Sequence, residues 1–261
     1  MNVSLKNKTA LIGGSSSGIG RAIAIQLAKS GASITVMSHS ENKLKALVDD
    51  LDTENGQIHS YLVVDFSNFN DYKKVISEYF ENHSIDILVN NTQGPSAGNT
   101  LEKNLPDYQE AFDLLFKTVV FTTELALKQM LKNKWGRIIN VASVSVKEPL
   151  SYLALSNTIR AAVVTWAKSL ASDVGEHHIT VNSILTGYFD TDRINQLNAK
   201  KADQLGISQA DVRSDMESKV PVKRIGEPKE YGYLVAFLAS DKAAYITGTQ
   251  IPIDGGLLKS L

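Results

Sequence analysis

Two rhythms of apolar and polar positions alternate along the 261-residue chain. Short apolar runs at 8–12, 33–37, 57–64, 85–91, 136–143 and 178–185 have the length of strands. Between them lie stretches with helical spacing at 19–30, 41–51, 69–81 and 107–131. Ile159, Ala162, Val163, Trp166 and Leu170 repeat in the same way and predict a helix over 150–173. Strands that alternate with helices predict a parallel sheet covered by helices on both faces. Gly31 is placed to end the first helix in a left-handed conformation. "GEPKEYGYLVAFLAS" predicts a late helix with Pro228 in its first turn, and "GTQIPIDGG" a closing strand. The polar, weakly helical stretch 188–225 has no strand, which marks it as a substrate lid rather than a plain connection. No linker or repeat interrupts the pattern, so the expectation is one domain.

Composition narrows the classes. Hydrophobic residues make up 43% of the chain and charged residues 21%, which suits one large core. Lys and Arg number 27 against 28 Asp and Glu, so no basic surplus points to nucleic acid or an anionic membrane. There is no cysteine, which excludes disulfides, thiolate metal sites and cysteine nucleophiles. No signal-like N-terminal segment and no apolar run near the roughly 18 residues of a membrane span is present, so the expected location is cytoplasmic. The five histidines lack metal-ligand spacing, and no metal is expected. No G-x-S-x-G elbow is present, so Ser143 is not a hydrolase nucleophile by that motif.

The strongest chemical signal is "GGSSSGIGRAI", a glycine turn between the first strand and the first helix. Gly14 permits the tight turn, and Gly18 and Gly20 let backbone and helix approach a pyrophosphate. The helix start then offers N–H groups and a positive dipole end to the anion. Ser15, Ser16 and Ser17 are candidate hydroxyl donors, and Ile19 sits on the first helical turn.

The G-x-x-x-G-x-G spacing resembles the short-chain dehydrogenase/reductase family, with Gly13 where the family's usual threonine stands. Further matches follow in order. "VVDFSN" resembles the element that holds adenine, which implies roles for Asp65 and Phe66. "DILVNNTQG" is similar to NNAG, with Asn91 lining the cofactor groove and Gly94 allowing close approach. "VNSILTGYFDTDR" resembles VNxVxPGxxxT, keeping Gly187 and Thr191 but replacing the proline with Thr186. The C-terminal portion is similar to bacterial 3-oxoacyl-(acyl carrier protein) reductases. The resemblance covers nearly the whole chain and implies a doubly wound Rossmann-type α/β domain with about seven parallel strands. It also implies a homotetramer formed through the two long helices and the last strand. In "TVMSHSENKL" Ser38 stands where the acid of NAD enzymes is expected, followed by His39 and Ser40, with Lys43 beyond, which favours NADP over NAD.

The reaction centre departs from the family. Ser143 occupies the serine position, but the tyrosine place holds Ser156, the lysine place Arg160, and the asparagine place Leu115. A serine hydroxyl is a far weaker acid than a phenol, and arginine does not readily exchange protons. Leucine cannot hold a water. Replacement groups lie nearby. Tyr152 shares a face with Ser156 and Arg160 if the helix starts early enough, Lys147 follows Ser143 by four residues, and Tyr188 follows the Thr186–Gly187 turn. The expected scheme has Lys147 or Tyr152 donate the proton, Ser143 position the oxygen and Arg160 bind the ribose. The leading expectation is an NADP-dependent oxidoreductase acting on a carbonyl or alcohol, with a small-molecule or acyl-thioester substrate. The alternatives are a dinucleotide-binding sensor or partner subunit, and a lyase or isomerase on the same fold.

Overall fold

The computed structural model describes residues 2–260. Seven parallel strands form one sheet: β1 (Thr9–Gly13), β2 (Ser33–Ser38), β3 (Ser60–Val63), β4 (Ile87–Asn90), β5 (Gly136–Val141), β6 (Ile179–Thr186) and β7 (Gln250–Ile253). Their spatial order is β3-β2-β1-β4-β5-β6-β7, with the order reversing between β1 and β4. Ligands bind at such a reversal, beyond the carboxyl ends of the strands.

Strand residues feed two cores by simple alternation. In β1, Ala10 and Ile12 join one core and Leu11 the other. In β4, Ile87 and Val89 face the first and Leu88 the second. The period of two puts successive side chains on opposite faces, so both faces need cover. Helices α1 (Gly18–Lys29), α2 (Glu41–Asp50) and α9 (Pro228–Ala239) bury Ile23, Leu27, Leu44, Tyr231 and Val235 against the first face. Helices α3 (Phe69–Asn82), α4 (Leu105–Phe112), α5 (Thr118–Asn133) and α6 (Ala154–Val174) bury Tyr72, Ile76, Ala111, Met130 and Ile159 against the second.

Three expectations change. The predicted helix over 107–131 is split by a π turn, Asp113–Lys117, between α4 and α5. The Thr118 hydroxyl donates to the Leu114 carbonyl there (2.6 Å), and the widened turn directs Leu115 inward. The helix predicted from Leu150 begins only at Ala154, after a turn that leaves Tyr152 outside it. The stretch 188–225 contains two real helices, α7 (Asp192–Leu205) and α8 (Gln209–Lys219). Gly31 takes the expected left-handed conformation, with φ at +98°.

Candidate active site

The glycine turn fits an anion cradle. Gly14 and Gly18 have φ near +56° and +54°, a region glycine adopts without steric cost. A Cβ on Gly20 would stand 2.2 Å from the Gly14 carbonyl oxygen, so only glycine lets α1 approach the loop this closely. A Cβ on Gly13 would stand 2.3 Å from the Asn91 carbonyl oxygen, so the departure from threonine accompanies a tight approach of β1 to the end of β4. The Asn91 amide donates to the Gly13 and Gly14 carbonyls (3.0 and 3.4 Å), fixing the loop from the neighbouring strand.

Ser17 caps α1 without a side-chain bond, which leaves the first-turn N–H groups open to a ligand. The hydroxyls of Ser16 and Ser17 make no hydrogen bond among the described residues. Ser15 is a correction: it is fully buried, donates to the Ile12 carbonyl (2.9 Å) and accepts the Met37 N–H (2.9 Å). Its hydroxyl joins β1 to β2 and is not offered to a phosphate.

At the adenosine end, Ser38 is buried and its hydroxyl accepts the Ser40 N–H (3.2 Å). His39 is exposed beside Asp65. Asp65 accepts the Ser67 N–H and hydroxyl on one oxygen (2.8 and 2.6 Å), leaving the other open. Those bonds, with a smaller contribution from His39, hold its carboxyl below the usual range. Phe66 is a second correction: its ring is buried in the core against Tyr72, with centroids 5.3 Å apart, so it has no face for adenine.

At the reaction end, Ser143 follows β5 and caps a short turn, Val144–Val146. Its oxygen accepts the Ser145 N–H (3.1 Å), while its own proton has no acceptor among the described residues. Arg160 comes up from α6 and donates through Nη1 to the Val141 carbonyl, which places it at the same strand end. Burial lowers its pKa; the Tyr231 phenol raises it and the charge of Arg193 lowers it. Ser156 is buried, and its hydroxyl makes no hydrogen bond among the described residues. Arg160 also lines a cavity of about 10 Å³ with Asn90, Thr92, Leu115 and Asn140, room for one water. Leu115 offers that space nothing polar, but the Asn140 Nδ2 beside it is buried without a partner.

Tyr152 does not share a helical face with Ser156 and Arg160, because it precedes the helix. It is 47% exposed. Burial of its phenol, and the neighbouring Tyr188, raise its pKa; burial does the same for Tyr188. The two phenols therefore stand near each other at the rim. Lys147 is an exposed rim residue, its N–H bonded to the Val144 carbonyl (3.0 Å).

Thr191 caps α7, accepting the Ile194 N–H (3.4 Å), and its methyl lies 3.2 Å from where a Gly18 Cβ would stand. Gly187 has a structural reason to be glycine. A Cβ there would meet Asp254 Cα at 2.6 Å, so the glycine serves the approach of β6 to the turn after β7. Gly94 is exposed on the groove, with Arg193 Nη2 3.8 Å from its ideal Cβ position.

Sequence reasoning missed Arg193 and the Thr186–Tyr231 pair. Arg193 reaches from α7 to the Pro95 carbonyl (3.1 Å), spanning from the 188–225 stretch to the loop after β4. The Thr186 hydroxyl meets the Tyr231 hydroxyl at 3.1 Å, under Arg160's influence. The place of Arg193, two residues after Thr191, was the available signal. Among the described residues, no group of three His, Asp or Glu is arranged to hold a metal ion, and no helix is long and apolar enough to cross a membrane.

The profile of the family described as Enoyl-(Acyl carrier protein) reductase matches residues 14–258. The chain belongs to the short-chain dehydrogenase/reductase family. It is 29% identical to the NADPH-dependent reductase BacG of Bacillus subtilis, over 98% of this chain and 100% of that protein. It is 31% identical to the 3-oxoacyl-[acyl-carrier-protein] reductase FabG of Rickettsia prowazekii, over 98% and 99%. The crystal structure of L-sorbose reductase from Gluconobacter frateurii, complexed with NADPH and L-sorbose, superposes with a TM-score of 0.92 at 29% identity, covering all of both chains. Within this family the chain is an NAD(P)-dependent oxidoreductase. The left-handed glycines and the uncapped start of α1 suit a dinucleotide's pyrophosphate, whichever nicotinamide carries it; the NADPH-dependent relatives support NADP use.

Proposed function

We propose that the protein reduces the carbonyl of a small molecule or acyl thioester with NADPH, using Ser143, Arg160 and Tyr152 in place of the family's tyrosine–lysine pair. The observation that carries this reading is the convergence of an unspent Ser143 hydroxyl proton and the Arg160 guanidinium on the end of β5. NADPH, when bound, supplies the hydride. Gly14, Gly18, Gly20 and the Ser16 and Ser17 hydroxyls hold its pyrophosphate, and Asn91 and Gly94 keep the groove narrow enough to orient it. Ser38 and His39, standing where a carboxylate would reject a phosphate, favour the 2′-phosphate of NADP over the bare ribose of NAD.

Ser143 donates a hydrogen bond to the substrate oxygen, and Arg160 stabilises the negative charge that develops there. A donor preorganised on a developing oxyanion contributes about 100- to 1000-fold in rate. Tyr152 gives the proton. Its raised pKa keeps it protonated through neutral pH, and an alkoxide is basic enough to take that proton. Residues 188–225 form a lid over substrate, and the protein assembles as a homotetramer.

Titrations with NADPH and NADH, followed by absorbance of the reduced nicotinamide across a carbonyl panel, test the reading. Tight NADPH binding with oxidation supports it. Tight binding with no oxidation on any substrate favours a sensor or a non-redox enzyme. Failure to bind either cofactor overturns it.

A further inference from the structure

The chain has six arginines. Four have a carboxylate within 4.0 Å: Arg21 on Asp50, Arg137 on Asp241, Arg213 on Asp190 and Glu217, and Arg224 on Glu230. The two with no such partner among the described residues are Arg160 and Arg193. Arg160 rises from α6 to the end of β5 and Arg193 reaches from α7 to the loop after β4, so both border the groove at the carboxyl ends of neighbouring strands. Each spends one N–H on a backbone carbonyl, Val141 for Arg160 and Pro95 for Arg193, and keeps the others.

The neighbouring acids do not answer them. Asp190 is held by Arg213 through two bonds (3.2 and 3.0 Å), and Asp190 and Asp192 both line the outer cleft between α1 and α9. The segment 189–193 thus turns its carboxylates outward and its guanidinium toward the groove. Arg193 also sits in the first turn of α7, where the helix dipole opposes a cation, so its placement has no local electrostatic benefit. Arg160 is partly buried and Arg193 is exposed on the rim, so Arg193 offers an anion a solvated guanidinium that no carboxylate among the described residues occupies.

We propose that the site selects a carbonyl compound bearing its own carboxylate, an oxo acid, whose carboxylate is gripped by Arg193 while Arg160 faces the reacting oxygen. This specificity rests on the reductase reading above. Arginine suits the task because its planar fork matches a carboxylate with two parallel bonds. A neutral ketone of the same shape leaves both charges unanswered. The same chemistry has one competing source, the cofactor's pyrophosphate, and the test separates the two.

The probe is oxamate, an unreactive oxo-acid mimic, compared with its neutral counterpart oxamide. Each is titrated calorimetrically into the free protein and into the NADPH complex, and NADPH affinity is measured by fluorescence. Oxamate should bind at least tenfold more tightly than oxamide, and added salt should weaken it. Arg193→Gln should cut oxamate affinity at least tenfold while leaving NADPH affinity within threefold, and Arg193→Lys should retain part of the preference. Equal binding of oxamate and oxamide overturns the proposal. So does an Arg193→Gln variant that loses NADPH affinity and keeps oxamate affinity, since Arg193 would then serve the pyrophosphate. Circular dichroism shows that the variants are folded, and the lysine variant decides the matter if the glutamine variant is not. If no NADPH binds, the reductase reading fails, and the oxamate–oxamide comparison on the free protein still judges the charge inference separately.

Discussion

Replacing Gly20 with alanine sets two effects of known size against each other. Gly20 is the third residue of α1, and alanine in a helix is favoured over glycine by about 1 kcal/mol. Against that, the new Cβ would stand 2.2 Å from the Gly14 oxygen and 2.8 Å from the Asn91 Nδ2. Reaching even 3.0 Å from the oxygen requires a shift of about 0.8 Å, and the obstacle is backbone. Overpacking of this kind costs about 1–3 kcal/mol. Moving the Asn91 amide off the Gly13 and Gly14 carbonyls forfeits about 1 kcal/mol more. The clash wins by roughly 1–3 kcal/mol, and at roughly 2–4 °C per kcal/mol for a chain of this size Tm falls by several degrees. The same displacement moves the N–H groups proposed to face the pyrophosphate, so NADPH affinity falls as well. Thermal melts and fluorescence titration read both effects. A raised Tm with unchanged affinity would refute the reasoning, because helix propensity would then outweigh the contact.

Ser143→Ala should lower turnover about 100-fold or more while NADPH affinity stays the same, since the hydroxyl acts on the substrate oxygen; equal loss in both would make the serine structural. Tyr152→Phe should abolish turnover and spare cofactor binding, and the wild-type rate should fall only as pH rises above 10, because burial raises this phenol's pKa. An unchanged rate removes Tyr152 from the scheme. Arg224 and the Glu227 N–H hold the Glu230 carboxyl down at about 2, against a usual 4.5. Its contribution to stability is therefore complete above pH 4.5 and lost as pH falls toward 2, and Glu230→Gln should flatten the acid limb of Tm against pH in that window. Glu148 accepts the Lys259 and Ser260 N–H groups on one oxygen (2.8 Å each), so Glu148→Ala should speed carboxypeptidase trimming of the tail without lowering Tm.

The sheet was legible because its strands must be apolar on both faces. The two-sided burial of Leu11 and Ile12, and of Ile87 and Leu88, appears in the sequence as uninterrupted apolar runs. The glycine turn was legible because its backbone geometry admits few other residues. The break between α4 and α5 was not, since a π turn keeps the helical spacing of Phe112 and Phe116, which stack at 5.0 Å. The start of α6 was also hidden. Gly98 donates its N–H to the Tyr152 carbonyl and accepts the Ala154 N–H, a tie across more than 50 residues that local pattern cannot show. Ser15 and Phe66 were misassigned for one reason. A hydroxyl or a ring in a binding motif is equally suited to the core behind it, and only three-dimensional packing distinguishes them. Arg193 was legible only by its place two residues after Thr191; that no carboxylate holds it is a property of the folded molecule.

The Ser15 hydroxyl, bonded to the Ile12 carbonyl and the Met37 N–H, has a further consequence for coenzyme choice. It clamps the pyrophosphate turn to the last residues of β2, directly before Ser38 and His39. In the proposed reading, one rigid jaw would grip both ends of the adenosine diphosphate moiety. Such a jaw cannot adapt to a missing phosphate by opening, so selectivity between coenzymes resides in the side chains at its tip. If the proposed NADP preference holds, redesign toward NAD would start with an acid at the exposed position 39 and leave Ser15 in place.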